Sequence, residues 1–358
     1  MEDTNIINLV KSNFSKEIKR KGNKKKNFFR IFKNKYIYIP SVFILIVISQ
    51  CIIQYIFKDN NSEKKQRYDI NFKYEDFDKE IITDKIKELS GWKISEEQAL
   101  FINGIIRKNK PKNCLEVGVA NGGSSILILN AIKDIENSFL VSLDLNNEVY
   151  DNINEKTGYR VKQFFPEFTD KWTLYTGEQP HIFLDKLKIK FDFLFLDTAH
   201  VSPGEIINFI EILPFLKDQA IVIIHDIFWH FLLKTNEKFF PSCISLFTNL
   251  YGDKILLHKK GGGLDNIGAV FLYQNQENFY LNYFLLLFNF WEYIPKDKQI
   301  NELRLFIKKY YNNVEYTNIF DLAVEENKRV SLYFNTNNNS KDKKRIISGL
   351  GKKWDNNN

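Results

Sequence analysis

Four polar residues in the middle of the chain have the types and spacing that proton transfer or metal binding requires. Asp197 and His200 lie three residues apart after one apolar run, and His225 and Asp226 follow the next apolar run. An imidazole, with an ordinary pKa of about 6.5, exchanges protons near neutrality. Carboxylates bind hard divalent ions, and an imidazole among them shifts the preference towards manganese, iron or zinc. The four residues are therefore candidates for a catalytic or metal site.

A glycine-rich segment further upstream is typical of a loop that holds a small polar cofactor. Gly118, Gly122 and Gly123 follow a short apolar run, and they allow backbone to approach a ligand closely. A helix predicted to start near Ser124 presents unpaired N–H groups to that ligand. Glu116 stands where the dinucleotide-binding motif has a glycine, and its charge would repel a pyrophosphate. The loop therefore favours a cationic or amine-bearing ligand.

Short apolar runs rich in β-branched and aromatic residues predict strands that are buried on both faces. Helix-like stretches separate most of them, which indicates an α/β fold with a doubly wound, mainly parallel sheet. Polar residues gather where the strands end, and open sheets of this kind bind ligands at that edge. The runs with their polar neighbours are 139–145 with Asp144, 172–175 with Gly177 and Glu178, 191–196 with Asp197, and 220–224 with His225 and Asp226.

Two capping boxes predict where helices begin. Ser95 and Gln98 form one such pair, ahead of the first predicted strand. Ser202 and Glu205 form another, with Pro203 expected at the first helical position.

Over residues 90–275, these motifs and their order resemble a class I S-adenosylmethionine-dependent methyltransferase. The resemblance is to the branch of the family that has Asp-x-x-His after the fourth strand and His-Asp after the fifth. The resemblance implies a Rossmann-like sheet of seven strands with an antiparallel last strand. Segments 254–258 and 268–273 match the antiparallel hairpin that ends such sheets.

The resemblance also implies how S-adenosylmethionine is held. The loop at Glu116 lies against the methionine part of the cofactor, and Asp144 bonds the ribose hydroxyls. Gly177 and Glu178 lie near the adenine. The residues expected to hold the cofactor are Glu116, Gly118, Asn121, Gly122, Gly123, Ser124, Asp144, Gly177 and Glu178.

Roles for the titratable residues follow from the same resemblance. In similar O-methyltransferases of sugars and catechols, acids after the fourth and fifth strands hold a divalent ion, and Asp197 and Asp226 match those positions. His225 stands where relatives often carry an acid, and we include it as a third ligand for magnesium or manganese. His200 matches a general base that takes the proton of the acceptor hydroxyl. A structural alternative stays open, in which the acids cap helices and His225 and Asp226 form a hydrogen-bonded corner.

The predicted function is S-adenosylmethionine-dependent O-methylation of a hydroxyl on a saccharide or lipid-linked glycan at a membrane. Two alternatives stay open. One is a degenerate methyltransferase fold that acts as a membrane-tethered binding or scaffold module. It is favoured by His225 in the place of an acid and opposed by the intact loop and Asp144. The other is a metal-dependent, hydroxylase-like relative that keeps the fold and changes the chemistry.

An uncharged, mostly apolar stretch near the N-terminus predicts an uncleaved membrane anchor. Residues 36–57 are long enough to cross a bilayer, which takes about 20 residues. They begin too far into the chain for an ordinary signal peptide. Residues 1–35 hold eleven Lys or Arg and three acids, a net charge of +8, whereas the whole chain carries +7. The basic residues therefore suit anionic lipid headgroups, and the near-neutral remainder argues against a nucleic-acid partner.

The orientation in the membrane follows from two opposing considerations. The positive-inside rule favours a cytoplasmic N-terminus and so places the methyltransferase domain across the membrane. S-adenosylmethionine is a cytosolic cofactor in the usual setting of the family, and the charge bias is modest. We therefore expect a single-pass membrane protein whose catalytic domain faces the cytosol.

The chain divides into six predicted parts. The apolar segment 279–294 is too short for a span, and it favours packing on the domain, with a homo-oligomer contact or an interfacial helix as the alternatives. The parts are a basic disordered arm (1–35), a transmembrane anchor (36–57), a linker (58–75), a methyltransferase domain (76–275), a helical extension (276–334) and a disordered tail (335–358).

Overall fold

The computed structural model describes residues 72–90, 94–150, 152–198, 200–228, 242–259 and 261–337. The predicted basic arm, the transmembrane anchor, nearly all of the linker and most of the tail lie outside these residues. Within them, every helix is too short or too polar to traverse a bilayer.

A seven-stranded sheet forms the centre of the fold. Its strand order is β5-β2-β1-β6-β7-β9-β8, and all neighbours are parallel except the pairs that involve β9. The prediction of a Rossmann-like, mainly parallel sheet with an antiparallel last strand is confirmed. A separate two-stranded hairpin, β3 with β4, follows β2. The strands are β1 (Asn113–Val117), β2 (Phe139–Asp144), β3 (Glu148–Val149), β4 (Asn152–Lys156), β5 (Trp172–Thr176), β6 (Phe191–Leu196), β7 (Leu216–His225), β8 (Gly252–His258) and β9 (Leu264–Leu272).

Helices connect the strands and continue after the last of them. The helix that follows the glycine loop, α3, is buried along its whole length, as expected of an apolar helix between the sheet and further helices. The helices are α1 (Asp84–Ser90), α2 (Glu96–Asn109), α3 (Gly123–Ile132), α4 (Tyr159–Phe164), α5 (Pro180–Leu187), α6 (Gly204–Ile212), α7 (Ser242–Asn249), α8 (Tyr280–Leu285), α9 (Asp297–Tyr310) and α10 (Val314–Asn337).

The register of the parallel strands brings their carboxyl ends to one line. Val117 pairs with Leu143 of β2 on one side and with Leu196 of β6 on the other. Leu196 in turn pairs with Ile224 of β7. The strand order reverses between β1 and β6, and such a switch point opens a crevice outside the sheet edge. The segments after β1, β2, β6 and β7 therefore meet at this crevice.

One of the two predicted helix starts is confirmed and the other is wrong. At α2, the Ser95 hydroxyl accepts the Gln98 N–H, and the Gln98 side chain accepts the Ser95 N–H. At α6, Pro203 occupies the N-cap position and no side chain caps the helix. The helix begins at Gly204, one residue later than predicted, so Glu205 is its second residue. The carboxylate of Glu205 accepts a hydrogen bond from the loop that precedes the helix.

The apolar segment 279–294 does not form one helix. It contains the short helix α8, a 3₁₀ turn over Leu286–Phe288 and a non-helical stretch beyond it. Leu287 and Trp291 are buried against the rest of the domain. Packing, the arrangement that the sequence favoured, is therefore the one observed.

We predict that Ser95→Ala destabilises the fold by about 1 kcal/mol, because it removes the acceptor for the Gln98 N–H at the start of α2. Ser95→Asp keeps an acceptor and should remain near the wild-type free energy of unfolding. Urea unfolding of the three proteins checks this, and equal stability of Ser95→Ala and the wild type would contradict the assigned cap.

Candidate functional site

The glycine loop passes so close to the end of β6 that only glycine fits at its first turn. Gly118 has a φ of +91°, and a Cβ built on it would lie 1.8 Å from the Asp197 carbonyl oxygen. The Asp197 N–H donates to the Val117 carbonyl at 3.0 Å. The predicted cofactor loop and the first predicted metal ligand are thus neighbours at the switch point.

Asp144 holds the glycine loop in place through its carboxylate. Oδ2 accepts the N–H groups of Val119 (2.9 Å) and Ala120 (3.0 Å), and Oδ1 accepts the Asn146 N–H (2.8 Å). Within the loop, the Asn121 side chain accepts the Gly123 N–H at 3.0 Å. Asp144 therefore has a structural role in the loop, and its contact with a ribose stays a prediction.

Glu116 lies behind the loop rather than in an exposed position. Its carboxylate is completely buried and accepts hydroxyl hydrogen bonds from Ser124 (2.5 Å), Ser125 (2.6 Å) and Ser142 (2.6 Å). Burial raises the pKa of Glu116 to about 7, although the three serine hydroxyls pull it down. The arrangement ties β1 to β2 and to the start of α3, so Ser124 already has a partner. The sequence pattern predicted a charged Glu116 facing the ligand and gave no signal of this burial.

The remaining predicted cofactor residues lie at the same edge of the sheet. Gly122 is the N-cap of α3, with a φ of +96°. The Gly177 N–H donates to the Asp144 carbonyl at 3.0 Å, which brings the end of β5 beside the end of β2. Glu178 follows and is exposed. The geometry is compatible with the predicted ribose and adenine contacts, which stay predictions.

The four titratable residues from the sequence meet in one cluster. His200 Nε2 lies 3.0 Å from Asp226 Oδ2 and 3.4 Å from Asp197 Oδ1. His225 Nδ1 lies 3.2 Å from Asp197 Oδ2 and 3.7 Å from Asp226 Oδ1. His200 and Asp226 both adopt left-handed backbone angles, with φ of +58° and +56°, which non-glycine residues seldom do. Such strain at a cluster of titratable groups is typical of functional sites.

The charges in this cluster control the protonation of its imidazoles. Burial lowers the pKa of His200, but the hydrogen bond to Asp226 and the charges of Asp197, Asp226 and Glu205 together raise it to about 9. The pKa of His225 is also raised, because Asp197 and Asp226 outweigh the effect of its burial. At neutral pH the metal-free cluster therefore holds His200 as an imidazolium. The ordinary imidazole pKa, on which the sequence argument rested, does not apply here.

The donor set fits a divalent cation. Asp197, His225 and Asp226 each offer one ligand atom, and these atoms lie within 4.8 Å of one another. Nδ1 of His225 is buried and, among the described residues, has no partner with hydrogen-bond geometry. A buried nitrogen beside two carboxylates is a setting in which a cation satisfies all three groups.

Three further residues, which the sequence did not assign to the site, form hydrogen bonds with members of the titratable cluster. Asn266 of β9 donates through Nδ2 to Asp226 Oδ1. Glu205 accepts the His200 N–H at 2.5 Å and the Ser242 hydroxyl. The side chain of Gln98 lies 3.3 Å from His225 Nε2. The capping boxes marked Gln98 and Glu205 as polar helix-start residues, but no sequence signal marks Asn266.

The helical extension also reaches the site. The Ser202 N–H donates to Glu292 Oε2, and the Glu292 N–H donates to the Ser202 carbonyl, both at 2.9 Å. The Trp291 N–H next to Glu292 donates to Asn327 Oδ1 of α10 at 2.8 Å. The loop that carries His200 is therefore tied to the C-terminal helices. Trp229 and His230, which follow the Asp226 corner in sequence, lie outside the described residues.

Comparisons with known proteins agree with the fold and the motifs. Residues 115–227 match the family model described as a methyltransferase domain, Methyltransf_24. This segment includes every predicted site residue from Glu116 to Asp226. The resemblance to class I S-adenosylmethionine-dependent methyltransferases is confirmed over this segment. No curated protein matches the chain in sequence.

Several solved structures are similar at low sequence identity. The O-methyltransferase TomG from Streptomyces achromogenes, in complex with SAM, is 14% identical, with 53% of this chain and 90% of that chain covered and a TM-score of 0.41. A SAH-bound methyltransferase from Podospora anserina is 18% identical, with 54% and 89% covered and a TM-score of 0.41. An O-methyltransferase from Bacillus cereus in complex with SAH is 16% identical, with 63% and 99% covered and a TM-score of 0.38.

We predict that Gly118→Ala destabilises the protein more than Gly261→Ala. Both positions have positive φ, +91° and +100°, so both substitutions carry backbone strain. Only the new Cβ at position 118 meets backbone, whereas nothing lies within 4 Å of one at position 261. The two variants should differ by about 1–3 kcal/mol in the free energy of unfolding, measured in urea. Equal effects of the two variants would contradict the close approach of the loop to Asp197.

We predict that Glu116 makes stability depend on pH in a particular direction. Its pKa rises from about 4.5 to about 7 on folding, so its contribution is fully present below pH 4.5 and is lost as the pH rises through 7. Relative to Glu116→Gln, the wild type should lose up to about 3 kcal/mol between pH 4.5 and pH 8. Urea unfolding at several pH values measures this difference, and parallel curves for the two proteins would contradict it.

Proposed function

We propose that this chain is an S-adenosylmethionine-dependent O-methyltransferase that acts on a hydroxyl of a saccharide or lipid-linked glycan at a membrane. The observation that carries the proposal is the position of His200 Nε2 beside Asp197 and Asp226, since the backbone of that same Asp197 contacts the glycine loop at Gly118. A cofactor loop adjacent to a base flanked by carboxylates is the arrangement that transfer to a hydroxyl requires.

In this proposal the glycine loop and the ends of β2 and β5 hold S-adenosylmethionine. The cofactor supplies a methyl group on a positively charged sulfur. Gly118 and Gly122 leave room for it at the backbone, and the start of α3 directs N–H groups towards its carboxylate. Asp144 keeps the loop in shape and offers its carboxylate oxygens to the ribose. Gly177 and Glu178 border the adenine.

His200 is the proposed general base. Nε2 would accept the proton of the acceptor hydroxyl while the hydroxyl oxygen takes the methyl group. The bond between that methyl group and the cofactor sulfur would break, and S-adenosylhomocysteine would leave with the electron pair on sulfur. Glu205 accepts the His200 N–H and so sets the backbone position from which the imidazole reaches the cluster. To act as a base, His200 must lose the proton that Asp197 and Asp226 stabilise, so those charges have to be offset.

A divalent cation, magnesium or manganese, at Asp197, His225 and Asp226 is part of the proposal. Bound there, it acts as a Lewis acid that lowers the pKa of the acceptor hydroxyl. Its positive charge also offsets the two carboxylates, which favours the neutral form of His200. The buried Nδ1 of His225 beside the Asp197 carboxylate supports this assignment.

The glycan acceptor and the membrane location are supported by the sequence. The uncharged run at 36–57 and the basic segment at 1–35 favour a location at a membrane surface, where lipid-linked acceptors are found. We propose that the catalytic domain faces the cytosol, because its cofactor is made there in the usual setting of the family. A homo-oligomer is compatible with this arrangement.

We predict that His200→Ala lowers turnover about 10²–10⁴-fold, the usual contribution of a general base, while S-adenosylmethionine binds as in the wild type. His258→Ala makes the same substitution at an exposed residue at the end of β8 and should leave turnover unchanged. The measurements are calorimetric titration of the full chain with S-adenosylmethionine, and methyl transfer to membrane-linked sugars with magnesium or manganese.

Each arm of this experiment addresses a different part of the proposal. A folded wild-type chain that binds no S-adenosylmethionine would contradict the methyltransferase activity and favour the scaffold alternative. Unchanged turnover in His200→Ala would remove His200 from the chemistry and leave cofactor binding intact. Turnover on soluble phenols but not on sugars would replace the proposed acceptor class.

A further inference from the structure

The hydrogen-bond partners of the Gln98 side chain determine the orientation of its amide. Its Oε1 accepts the Ser95 N–H at 2.9 Å, and its Nε2 donates to Asp265 Oδ1 at 2.7 Å. A backbone N–H can only donate. Asp265 Oδ1 also accepts the Asn266 N–H at 2.6 Å, so it is an acceptor from both sides. Exchanging the oxygen and nitrogen of the Gln98 amide would place donor against donor and acceptor against acceptor.

The position of this amide determines which ring nitrogen of His225 carries a proton. His225 Nε2 lies 3.3 Å from Gln98 Oε1, and both side chains are buried. Since Oε1 can only accept, Nε2 has to donate. The other ring nitrogen, Nδ1, lies 3.2 Å from Asp197 Oδ2 and 3.7 Å from Asp226 Oδ1.

We propose that Gln98 is a positioning residue that keeps a proton on Nε2 of His225 and thereby reserves Nδ1 as a ligand for a divalent cation at Asp197 and Asp226. This inference rests on the cation site of the proposed function. Gln98 is 127 residues away from His225 in sequence.

The physical need for Gln98 comes from Asp197. A carboxylate beside Nδ1 favours a proton on that nitrogen, because a charge-assisted hydrogen bond is about twice as strong as a neutral one. A neutral imidazole with its proton on Nδ1 has no lone pair there for a cation. That tautomer would place the lone pair of Nε2 against Gln98 Oε1, which is repulsive. Gln98 therefore opposes the tautomer that excludes the cation, as outer hydrogen-bond partners of metal-ligating histidines generally do.

The test compares three full-length proteins, the wild type and two variants, with Mn²⁺ alone as the probe. Gln98→Met removes the acceptor and keeps the length and volume of the side chain. Ser95→Ala is the matched control, because it removes the helix cap and leaves the Ser95 N–H and the Gln98 amide in place.

Two readouts separate positioning from general damage. Free Mn²⁺, followed by electron paramagnetic resonance, gives the affinity, and ¹⁵N spectra of histidine-labelled protein with and without Mg²⁺ show which nitrogen of His225 is protonated. We expect Gln98→Met to weaken Mn²⁺ binding about 10–100-fold. Ser95→Ala should bind like the wild type. In the wild type with Mg²⁺ bound, Nε2 of His225 should carry a proton and Nδ1 should carry none.

The outcomes that overturn the inference differ from those that overturn the proposed function. Wild-type protein that binds no Mn²⁺ would contradict the cation site itself and this inference with it. Wild-type binding that Gln98→Met leaves unchanged, with Nε2 still protonated, would overturn the role of Gln98 alone. Unchanged S-adenosylmethionine affinity in Gln98→Met establishes that its fold is intact. Equal losses in Gln98→Met and Ser95→Ala would assign the effect to the helix cap.

Discussion

The contact between Gly118 and the backbone of Asp197 is the constraint on which the candidate site depends. It lies at the switch point of the sheet, where the chain leaves β1 towards the glycine loop and leaves β6 towards the acid and the histidine. Any side chain at position 118 would overlap the Asp197 carbonyl. Without that contact the proposed cofactor region and the titratable cluster would not share one crevice. The strand register then adds the ends of β2 and β7 to the same edge.

Uncompensated charge is the second property that organises the site. Asp197, Asp226 and Glu205 surround His200 within a largely buried region, and burial makes each charge more expensive than it is in water. In the metal-free protein the imidazolium of His200 offsets part of this charge. A cation would take over that function and favour the neutral form of His200. The same groups therefore explain both the raised pKa of His200 and the suitability of the cluster for a divalent ion.

Elements outside the sheet edge complete the site. From the N-terminal side, the first turn of α2 contributes Gln98, which contacts His225. From the C-terminal side, Glu292 binds the loop that carries His200 through two hydrogen bonds, and the neighbouring Trp291 is held by Asn327 of α10. Both contacts lie outside residues 115–227, which match the family model. The candidate site of this chain is thus supported by segments on either side of the matched region.

The sequence by itself determined the architecture of the sheet and the four titratable residues that meet at its edge. Apolar runs that end in Asp144, Asp197 and Asp226 identify strands and the edge where they finish, because these are local, periodic patterns. The glycine loop and the box at Ser95 were equally predictable, since each depends on residues a few positions apart. The capping box predicted at Ser202 does not form, because Glu205 accepts hydrogen bonds from the His200 N–H and the Ser242 hydroxyl instead of one from its own helix start.

Only the tertiary structure decided how the site residues are protonated and held. Glu116 is surrounded by hydroxyls that include Ser142 of β2, and this burial raises its pKa. Gln98 meets Asp265 across 167 residues of sequence, and this pairing sets the direction of its hydrogen bond to His225. Hydrogen-bond direction and pKa depend on the distance and burial of groups that are remote in the chain. No local pattern carries that information, so folding had to bring the partners together before these properties were defined.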